Sequence, residues 1–130
     1  MHSQLFLLAA IFAVIAFVIV SRARAQALPT LNAAEVKARL DDTSTVILDV
    51  RSTAEFVAGH IPRAKNIPVQ DLPNRLGEID KSKRIIVYCR SGARSTMAQG
   101  ILTRNGFTSV ENFRGSWLEW SSLNYPVEQP

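Results

Sequence analysis

The residues of this sequence whose types and spacing favour chemistry lie in one short segment, VYCRSGARS, at residues 87–95. The segment contains Cys89, the only cysteine of the chain, and two arginines, Arg90 and Arg94. A thiolate is the nucleophilic form of cysteine, and nearby positive charge favours it over the thiol. Gly92 lets the backbone between the arginines turn through conformations closed to other residues. The pattern predicts a reactive cysteine, against the alternative of a small buried hydrophobic side chain.

Cys89 and a second polar residue, Asp49, end the two segments that look most like buried strands. TVILDV (45–50) and KRIIVYC (83–89) are largely apolar runs, as in strands covered on both faces. Helical patterns follow both runs, and this alternation predicts an α/β fold with a central parallel sheet flanked by helices. Ligands bind such sheets beyond the carboxyl ends of the strands. Cys89 is therefore expected at the functional edge of the sheet and not in a buried position.

The segment after Cys89 is expected to turn tightly as far as Arg94 and then to form a helix that starts near Ser95. The loop amides can then point inward at the positive end of the helix macrodipole, where they favour an anion. The helical pattern covers residues 94–107 and has an apolar face. That predicted face consists of Met97, Ile101 and Leu102.

Shorter elements complete the predicted domain. Asn32 is expected to start a helix in which Val36 and Leu40 are four residues apart, and Ser52 with Glu55 forms a capping box for another. Gly59 is expected to end that second helix. The other predicted elements are a short strand within residues 60–68, partly helical turns over 69–79, a strand at 109–113 and a closing helix at 115–123.

The composition excludes several classes of function. A single cysteine excludes an intramolecular disulfide and every zinc site built on several cysteines. The two histidines, His2 and His60, do not suffice for a metal site, and no cofactor is expected. Two of the 15 basic residues, Arg22 and Arg24, precede Gln26, so the rest of the chain carries 13 basic and 11 acidic residues. This balance is too weak and too dispersed to favour a nucleic-acid partner.

The amino terminus predicts a membrane segment. Residues 5–20 contain no polar side chain, and as a helix they span about 24 Å, slightly less than a hydrocarbon core of about 30 Å. No lysine or arginine precedes the run, whereas Arg22 and Arg24 follow it, and both features favour an uncleaved anchor. The positive-inside tendency then places the following domain in the cytoplasm.

The alternative is a signal peptide that is cleaved after ARA (23–25) or AQA (25–27), which would export the domain to the periplasm. The expected organisation is thus an anchor or signal segment at residues 1–27 and one domain at residues 28–130. After the apolar helix, about a hundred residues remain, which is enough for one modest core.

The domain resembles the rhodanese-like family over nearly all of residues 29–127. Several motifs occur in the order and at the spacing of that family, which makes the resemblance specific. They are LDVRSTAEFVAGHIPRAKNIP (48–68), IIVYCRSGARS (85–95), GF (106–107) and RGSWLEW (114–120). The resemblance implies a three-layer fold around a parallel sheet of about five strands. Two positions depart from it: Ser116 stands where the family often has a second glycine, and Arg63 replaces another frequent glycine.

The resemblance implies sulfane-sulfur transfer from thiosulfate or a persulfide to cyanide or a thiol. Cys89 would attack the outer sulfur of the donor and carry it as a persulfide. The loop would bind the persulfide and an anionic donor through Arg90, Ser91, Gly92, Ala93 and Arg94. Asp49, Arg51 and Ser95 would support the site. His60 is expected to be a hydrogen-bonded structural residue, and Trp117 to pack beside the site or to line it.

Three alternatives remain at this point. A tyrosine-type phosphatase needs an arginine six positions after the cysteine, but here position 95 is serine, and an arsenate reductase usually needs a second cysteine. A non-enzymatic interaction module is disfavoured by the intact loop around Cys89. A membrane-tethered persulfide carrier that receives its sulfur from a partner protein uses the same cysteine. The sequence supports this alternative and sulfur transfer between small molecules equally.

Overall fold

The structure is a computed structural model that describes residues 1–26 and 28–130, without the side chains of residues 22–26. The chain begins with helix α1 (His2–Gln26). The segment His2–Ser21 has a mean hydropathy of 2.7, and none of it is buried against the rest of the protein. It is long and apolar enough to cross a membrane, a test that a signal sequence also passes. The predicted domain boundary falls at Ala27, outside the described residues.

A five-stranded parallel sheet forms the centre of the domain. Its strands are β1 (Thr30–Leu31), β2 (Thr45–Asp49), β3 (Lys65–Asn66), β4 (Arg84–Tyr88) and β5 (Val110–Phe113). The spatial order is β1-β5-β4-β2-β3, and every neighbouring pair is parallel. The longer strands β2 and β4 therefore lie side by side at the middle of the sheet, as their apolar sequences predict.

Helices connect the strands and cover the sheet. They are α2 (Ala33–Lys37), α3 (Thr53–Ala58), α4 (Ala93–Arg104) and α5 (Ser116–Ser122), with 3₁₀ turns at Leu72–Asn74 and Leu76–Glu78. Asn32 and Ser52 cap α2 and α3 through complete capping boxes with Glu35 and Glu55. The second capping box and the end of α3 at Gly59 were both predicted from the sequence.

Two apolar clusters lie on opposite faces of the sheet, because alternate residues of each strand point to opposite faces. On β4, Ile85 and Val87 belong to one cluster with α4 and the 3₁₀ turns, whereas Ile86 and Tyr88 belong to the other with α2 and α5. The predicted three-layer α/β architecture is thus confirmed. Its central strands are covered on both sides.

Helix α4 differs from its predicted form. It begins at Ala93, two residues before Ser95, and ends at Arg104. The predicted inward position of Met97 is wrong, because this side chain is 58% exposed. The buried positions of the helix have the spacing of one helical face, and they are Ser95, Ala98, Gln99 and Leu102. Two of these are polar and make hydrogen bonds to backbone carbonyls, which hydropathy does not reveal.

The close cover of both sheet faces predicts a large cost for a cavity at the centre. Leu48→Ala on β2 removes a side chain with no exposed surface, and we expect it to lower the free energy of unfolding by about 2 to 5 kcal/mol. The matched control is Leu118→Ala, whose side chain is 49% exposed. Urea unfolding of the full chain in detergent, followed by the fluorescence of Trp117 and Trp120, measures both. Equal losses from the two substitutions would contradict this account of the core.

Candidate active site

Cys89 is the first residue after β4, and its sulfur lies inside the turn that leads to α4. The Gly92 N–H donates a hydrogen bond to Cys89 Sγ at 3.1 Å, and Ser95 Oγ lies 3.6 Å from the same sulfur. Gly92 has a φ of 105°, which side chains rarely adopt, and a Cβ there would lie 2.7 Å from the Arg114 carbonyl oxygen. Glycine at this position therefore allows the turn to close on the sulfur.

The surroundings of Cys89 favour its ionised form. Burial raises the pKa of the thiol, but hydrogen bonds from Ser95, from the Gly92 amide and from Ser116 outweigh burial and lower the pKa below its usual value. A lowered pKa increases the thiolate fraction, which is the nucleophilic species. The arrangement can hold a negatively charged sulfur at the edge of the sheet.

The expectation that Cys89 is not buried is wrong, since only 1% of the residue is exposed. Cys89 lies in the apolar cluster on the α4 face of the sheet, and the first turn of the closing helix α5 is hydrogen-bonded to the cysteine loop. Trp117 N–H donates to the Cys89 carbonyl at 2.9 Å, and Leu118 N–H donates to the Arg90 carbonyl at 3.1 Å. Cys89 thus lies at the predicted edge of the sheet and is also covered there. Its sulfur contacts polar donors in that covered position.

Ser116 lies at the candidate site, although the sequence indicated only that a serine replaces a frequent glycine of the family at this position. Its side chain is buried, and its φ is +56°. The hydroxyl oxygen accepts a hydrogen bond from Cys89 N–H at 3.1 Å and lies 3.8 Å from Cys89 Sγ. The same hydroxyl donates to the Phe113 carbonyl at 2.9 Å. A serine where the family often has glycine was the signal, and the contact itself needed the fold.

The two arginines of the loop have different surroundings. Arg90 is exposed, as are Ser91 and Ala93. Arg94 lies in the first turn of α4 and makes a two-pronged ion pair with Glu55 of α3, at 2.7 and 3.0 Å. Glu55 was predicted only as a capping-box residue. The hydrogen bonds from Arg94 lower the pKa of Glu55 from its usual 4.5 to about 2, and the carboxylate raises the pKa of Arg94.

A buried ion pair lies beside the cysteine loop, at the end of β2. Arg51 Nη2 donates to Asp49 Oδ2 at 2.6 Å, and its Nε donates to both carboxylate oxygens at 3.0 Å. Tyr88 Oη, from the residue before Cys89, donates to Asp49 Oδ2 at 2.6 Å. Burial, together with the Asp49 charge, raises the pKa of this tyrosine. The network joins β2 and β4 at the edge where the cysteine lies.

Arg51 also reaches two further parts of the structure. Its Nη2 donates to the Gly59 carbonyl at 2.7 Å, and its guanidinium carbon lies 4.7 Å from the centre of the Trp117 ring. A cation over an aromatic face is an attractive contact, stronger where water is excluded. Trp117 therefore packs beside the site, against the buried arginine.

His60 has structural contacts, as expected from the sequence. Its Nδ1 lies 2.9 Å from the Phe56 carbonyl oxygen, and its ring stacks on the Phe56 ring at 3.7 Å. Its backbone bridges to Glu128 near the carboxyl terminus. Across residues 1–26 and 28–130, no group of three or more His, Cys, Asp and Glu side chains is arranged to hold a metal.

Known proteins are similar to this chain in sequence and in fold. The family model of the rhodanese-like domain matches residues 32–123. A sulfurtransferase of Allochromatium vinosum is 38% identical over 101 residues, which are 77% of this chain and 94% of that protein. A putative mitochondrial thiosulfate sulfurtransferase of Schizosaccharomyces pombe is 42% identical over 93 residues, which are 62% of this chain and 66% of that protein.

A solved structure gives the same result for the fold. A rhodanese-related protein of Thermoplasma volcanium superposes with a TM-score of 0.71 at 28% identity, over 78% of this chain and 99% of that one. Other relatives have different descriptions, including a putative sulfur carrier protein of Bacillus subtilis and a tRNA uridine(34) hydroxylase of Escherichia coli. Sulfur transfer is thus supported at the level of the family, within which individual proteins have different roles.

The Arg94–Glu55 ion pair predicts a pH-dependent contribution to stability. Because the pKa of Glu55 is lowered to about 2 in the folded chain, the pair stabilises the fold above pH 4.5 and loses this effect as the pH falls towards 2. Glu55→Gln keeps the capping box, which also accepts Gln, but loses the charge. We expect it to lower the free energy of unfolding at pH 7 by about 0.5 to 1 kcal/mol, since the pair is partly exposed.

Urea unfolding between pH 2 and pH 7 measures this difference, which should shrink towards zero at the acid end. Glu35→Gln is the matched control, because Glu35 has the same capping-box position in α2 and makes no arginine pair among the described residues. A loss of stability from Glu55→Gln that does not change with pH, or that equals the loss from Glu35→Gln, would contradict a role for the ion pair.

Proposed function

Because this chain belongs to the rhodanese-like domain family, we propose that it moves a sulfane sulfur from a donor to an acceptor through a persulfide on Cys89. The observation that carries the proposal is the hydrogen bond from Gly92 N–H to Cys89 Sγ at 3.1 Å, in a loop that lowers the pKa of the thiol. An ionised Cys89 sulfur that accepts a hydrogen bond from a fixed N–H can attack the sulfur donor. The same hydrogen bond stabilises this sulfur as the leaving group when an acceptor attacks the persulfide.

The first proposed step uses thiosulfate or a persulfide as the donor. The Cys89 thiolate attacks the outer sulfur of thiosulfate, the bond between its two sulfurs breaks, and sulfite leaves with the bonding electron pair. The product is a Cys89 persulfide whose outer sulfur carries the negative charge. In the second step cyanide or a thiolate attacks that outer sulfur, and the Cys89 thiolate leaves. Thiocyanate or a new persulfide is formed, and no external oxidant or reductant is needed.

The loop after Cys89 is proposed to bind the anionic donor and the persulfide. The binding residues are Arg90, Ser91, Gly92, Ala93 and Arg94. Arg90 is exposed and can meet a donor anion from solvent. Arg94 is held by Glu55 and adds its charge from the start of α4. The Gly92 N–H already points at Cys89 Sγ. Negative charge that develops on the sulfur during transfer is therefore stabilised by a hydrogen-bond donor that does not have to move.

Three further residues are proposed to support the site without touching the transferred sulfur. Asp49 and Arg51 form the buried pair that joins the end of β2 to Tyr88, next to Cys89. Ser95 donates to the Gly92 carbonyl at 3.1 Å and lies beside Cys89 Sγ. Its hydroxyl thus fixes the far side of the turn that presents the Gly92 amide.

A partner protein is a second candidate for the sulfur donor or acceptor. The exposed residues of the loop, Arg90, Ser91 and Ala93, lie on the surface in the segment that directly follows the covered cysteine. A docked protein can contact this surface and deliver a persulfide to the same sulfur. The chemistry at Cys89 is then unchanged, and only the source or the destination of the sulfur differs.

The persulfide proposal predicts a mass change at one residue. After incubation with thiosulfate, the intact chain should gain the mass of one sulfur atom, and cyanide should remove it with release of thiocyanate. Because Cys89 is the only cysteine, Cys89→Ser should abolish both signals, since a serine hydroxyl is far less ionised than this thiol. Intact-mass spectrometry of the full chain in detergent gives the result directly.

Three donors separate the candidates in this experiment: thiosulfate, glutathione persulfide and a protein persulfide. Gain of sulfur from the protein persulfide alone would favour the partner-fed carrier. No gain from any donor would refute sulfur transfer through Cys89. Hydrolysis of p-nitrophenyl phosphate by the wild-type chain, lost in Cys89→Ser, would instead support the phosphatase alternative.

Helix α1 is proposed to anchor the chain in a membrane, with residues 1–27 as the anchor and residues 28–130 as the catalytic domain. The length and the mean hydropathy of His2–Ser21 support this proposal, as do Arg22 and Arg24 after the apolar run. Their position places the domain on the cytoplasmic side by the positive-inside tendency. The site then acts on sulfur compounds or partners next to the inner membrane surface.

A fusion experiment in Escherichia coli tests the anchor and its direction. Alkaline phosphatase joined after Gln26 should remain with the membrane and stay inactive, because this enzyme needs the oxidising periplasm for its disulfides. A β-galactosidase fusion at the same position is the control and should be active. An active phosphatase that still carries residues 1–26 would reverse the orientation. A fusion protein shortened by the mass of the apolar segment would establish a cleaved signal peptide instead.

A further inference from the structure

We propose that Ser116 is a positioning residue for Cys89. The Ser116 hydroxyl accepts a hydrogen bond from the Cys89 amide, and it donates its own proton to the Cys89 sulfur when that sulfur is ionised. This inference rests on the sulfurtransferase proposal, because it assigns Ser116 a role in the same site. It goes beyond that proposal in placing one of the determinants of sulfur reactivity on α5, 27 residues after the cysteine. The cysteine loop itself then accounts for only part of the reactivity.

The geometry of the hydroxyl allows two arrangements of its single proton. Ser116 Oγ accepts a hydrogen bond from Cys89 N–H at 3.1 Å, which leaves the hydroxyl proton free to bond elsewhere. Two acceptors lie within reach: the Phe113 carbonyl oxygen at 2.9 Å and Cys89 Sγ at 3.8 Å. A neutral thiol leaves the proton on the carbonyl. A thiolate is the stronger acceptor because it is charged, and it draws the proton to itself.

The backbone of Ser116 gives an independent reason to assign it a role. Its φ of +56° lies in the left-handed region, where glycine is unstrained and a serine is not. A strained residue next to a reactive group is a pointer to function. A glycine here would relieve the strain but would remove the acceptor of the buried Cys89 N–H. Serine at this position therefore has a conformational cost, and in exchange its hydroxyl contacts the Cys89 amide and lies near the Cys89 sulfur.

Charged groups from several elements lie near the cysteine loop together with Ser116. Arg90 and Arg94 lie in the loop and the first turn of α4, with Glu55 of α3 paired to Arg94. Arg51 and Asp49 form the pair at the end of β2. The Arg94 and Asp49 pairs are already matched with opposite charges. The hydroxyls and the Gly92 amide add uncharged hydrogen-bond donors to these charges, and the hydrogen bond of Ser116 helps to lower the pKa of Cys89.

The pH dependence of Cys89 alkylation tests the proposal without sulfur transfer. The rate of iodoacetamide reaction with the full chain in detergent follows the thiolate fraction, and the single cysteine is its only thiol target. In Ser116→Ala and Ser116→Gly, the midpoint of this profile should rise by about half a pH unit. The alkylation rate well below the midpoint should then be about threefold lower. The rate above the midpoint should not fall.

Two substitutions separate the hydroxyl from the backbone. Ala keeps a side chain at the strained φ, whereas Gly fits that φ and keeps the fold even if the Ala variant is unstable. Equal midpoint shifts in both variants assign the effect to the hydroxyl. Ser122→Ala is the matched control, since it removes a hydroxyl of the same helix that bonds only to the Glu119 carbonyl among its described contacts. Its alkylation profile should match that of the wild type.

Other outcomes overturn the inference. An unchanged midpoint in Ser116→Gly would show that the hydroxyl does not act on the sulfur. A lower rate at every pH with the same midpoint would indicate a merely structural role. These results are distinct from failure of the proposed function. Wild-type chain that gains no sulfur in the mass measurement would refute sulfur transfer, whatever the alkylation profile of Ser116→Gly.

Discussion

Ionisation of a covered sulfur is the constraint on which the rest of the site depends. Cys89 lies at the end of β4 with 1% of its surface exposed, and burial alone opposes the charged form of a thiol. The protein compensates with fixed hydrogen-bond donors close to the sulfur, together with the positive charge of Arg94 at the start of α4. The Gly92 amide points at the sulfur, and two serine hydroxyls lie beside it. This solution requires a turn that closes tightly, which explains the left-handed glycine and the early start of α4.

Hydrogen bonds also compensate for the burial of the charged residues next to the loop. Asp49 and Arg51 are almost without solvent contact, and each is satisfied by several hydrogen bonds. A buried ion pair contributes little net stability, but removal of one partner is costly because it leaves the other charge unpaired. The pair therefore acts mainly as a specific link. It fixes the end of β2 to Tyr88, and through Tyr88 it fixes the backbone that carries the cysteine.

Much of the fold was predictable from the sequence, because it depends on local patterns. The apolar runs before Asp49 and Cys89 predicted the two central strands, and the capping box of Ser52 with Glu55, together with Gly59, predicted the bounds of α3. The inward face of α4 was not predictable from hydropathy. Gln99 is buried there through hydrogen bonds to backbone carbonyls that come from other elements. Met97, which is more hydrophobic, has the wrong phase on the helix and is exposed.

The cysteine loop was predictable as a segment, but its contacts with other elements were not. Local sequence placed Arg90, Gly92 and Arg94 around Cys89, because they are its neighbours in the chain. The cover over the cysteine, the ion pair of Arg94 with Glu55 and the contact with Ser116 all join residues that are far apart in sequence. No spacing rule in one sequence encodes such pairs, since they arise only when α3, α4 and α5 meet at the edge of the sheet.

The closeness of the loop to the sulfur also bears on which anion the site accepts. Gly92 N–H lies 3.1 Å from Cys89 Sγ, and the outer side of Gly92 lies against the Arg114 carbonyl, where even a Cβ would not fit. The turn therefore has little room to expand. A phosphoryl group in such a loop would need its three oxygens to be surrounded by donors, whereas a transferred sulfur adds a single atom to Sγ. The tight turn thus favours the proposed persulfide over a phosphorylated cysteine on grounds of size alone.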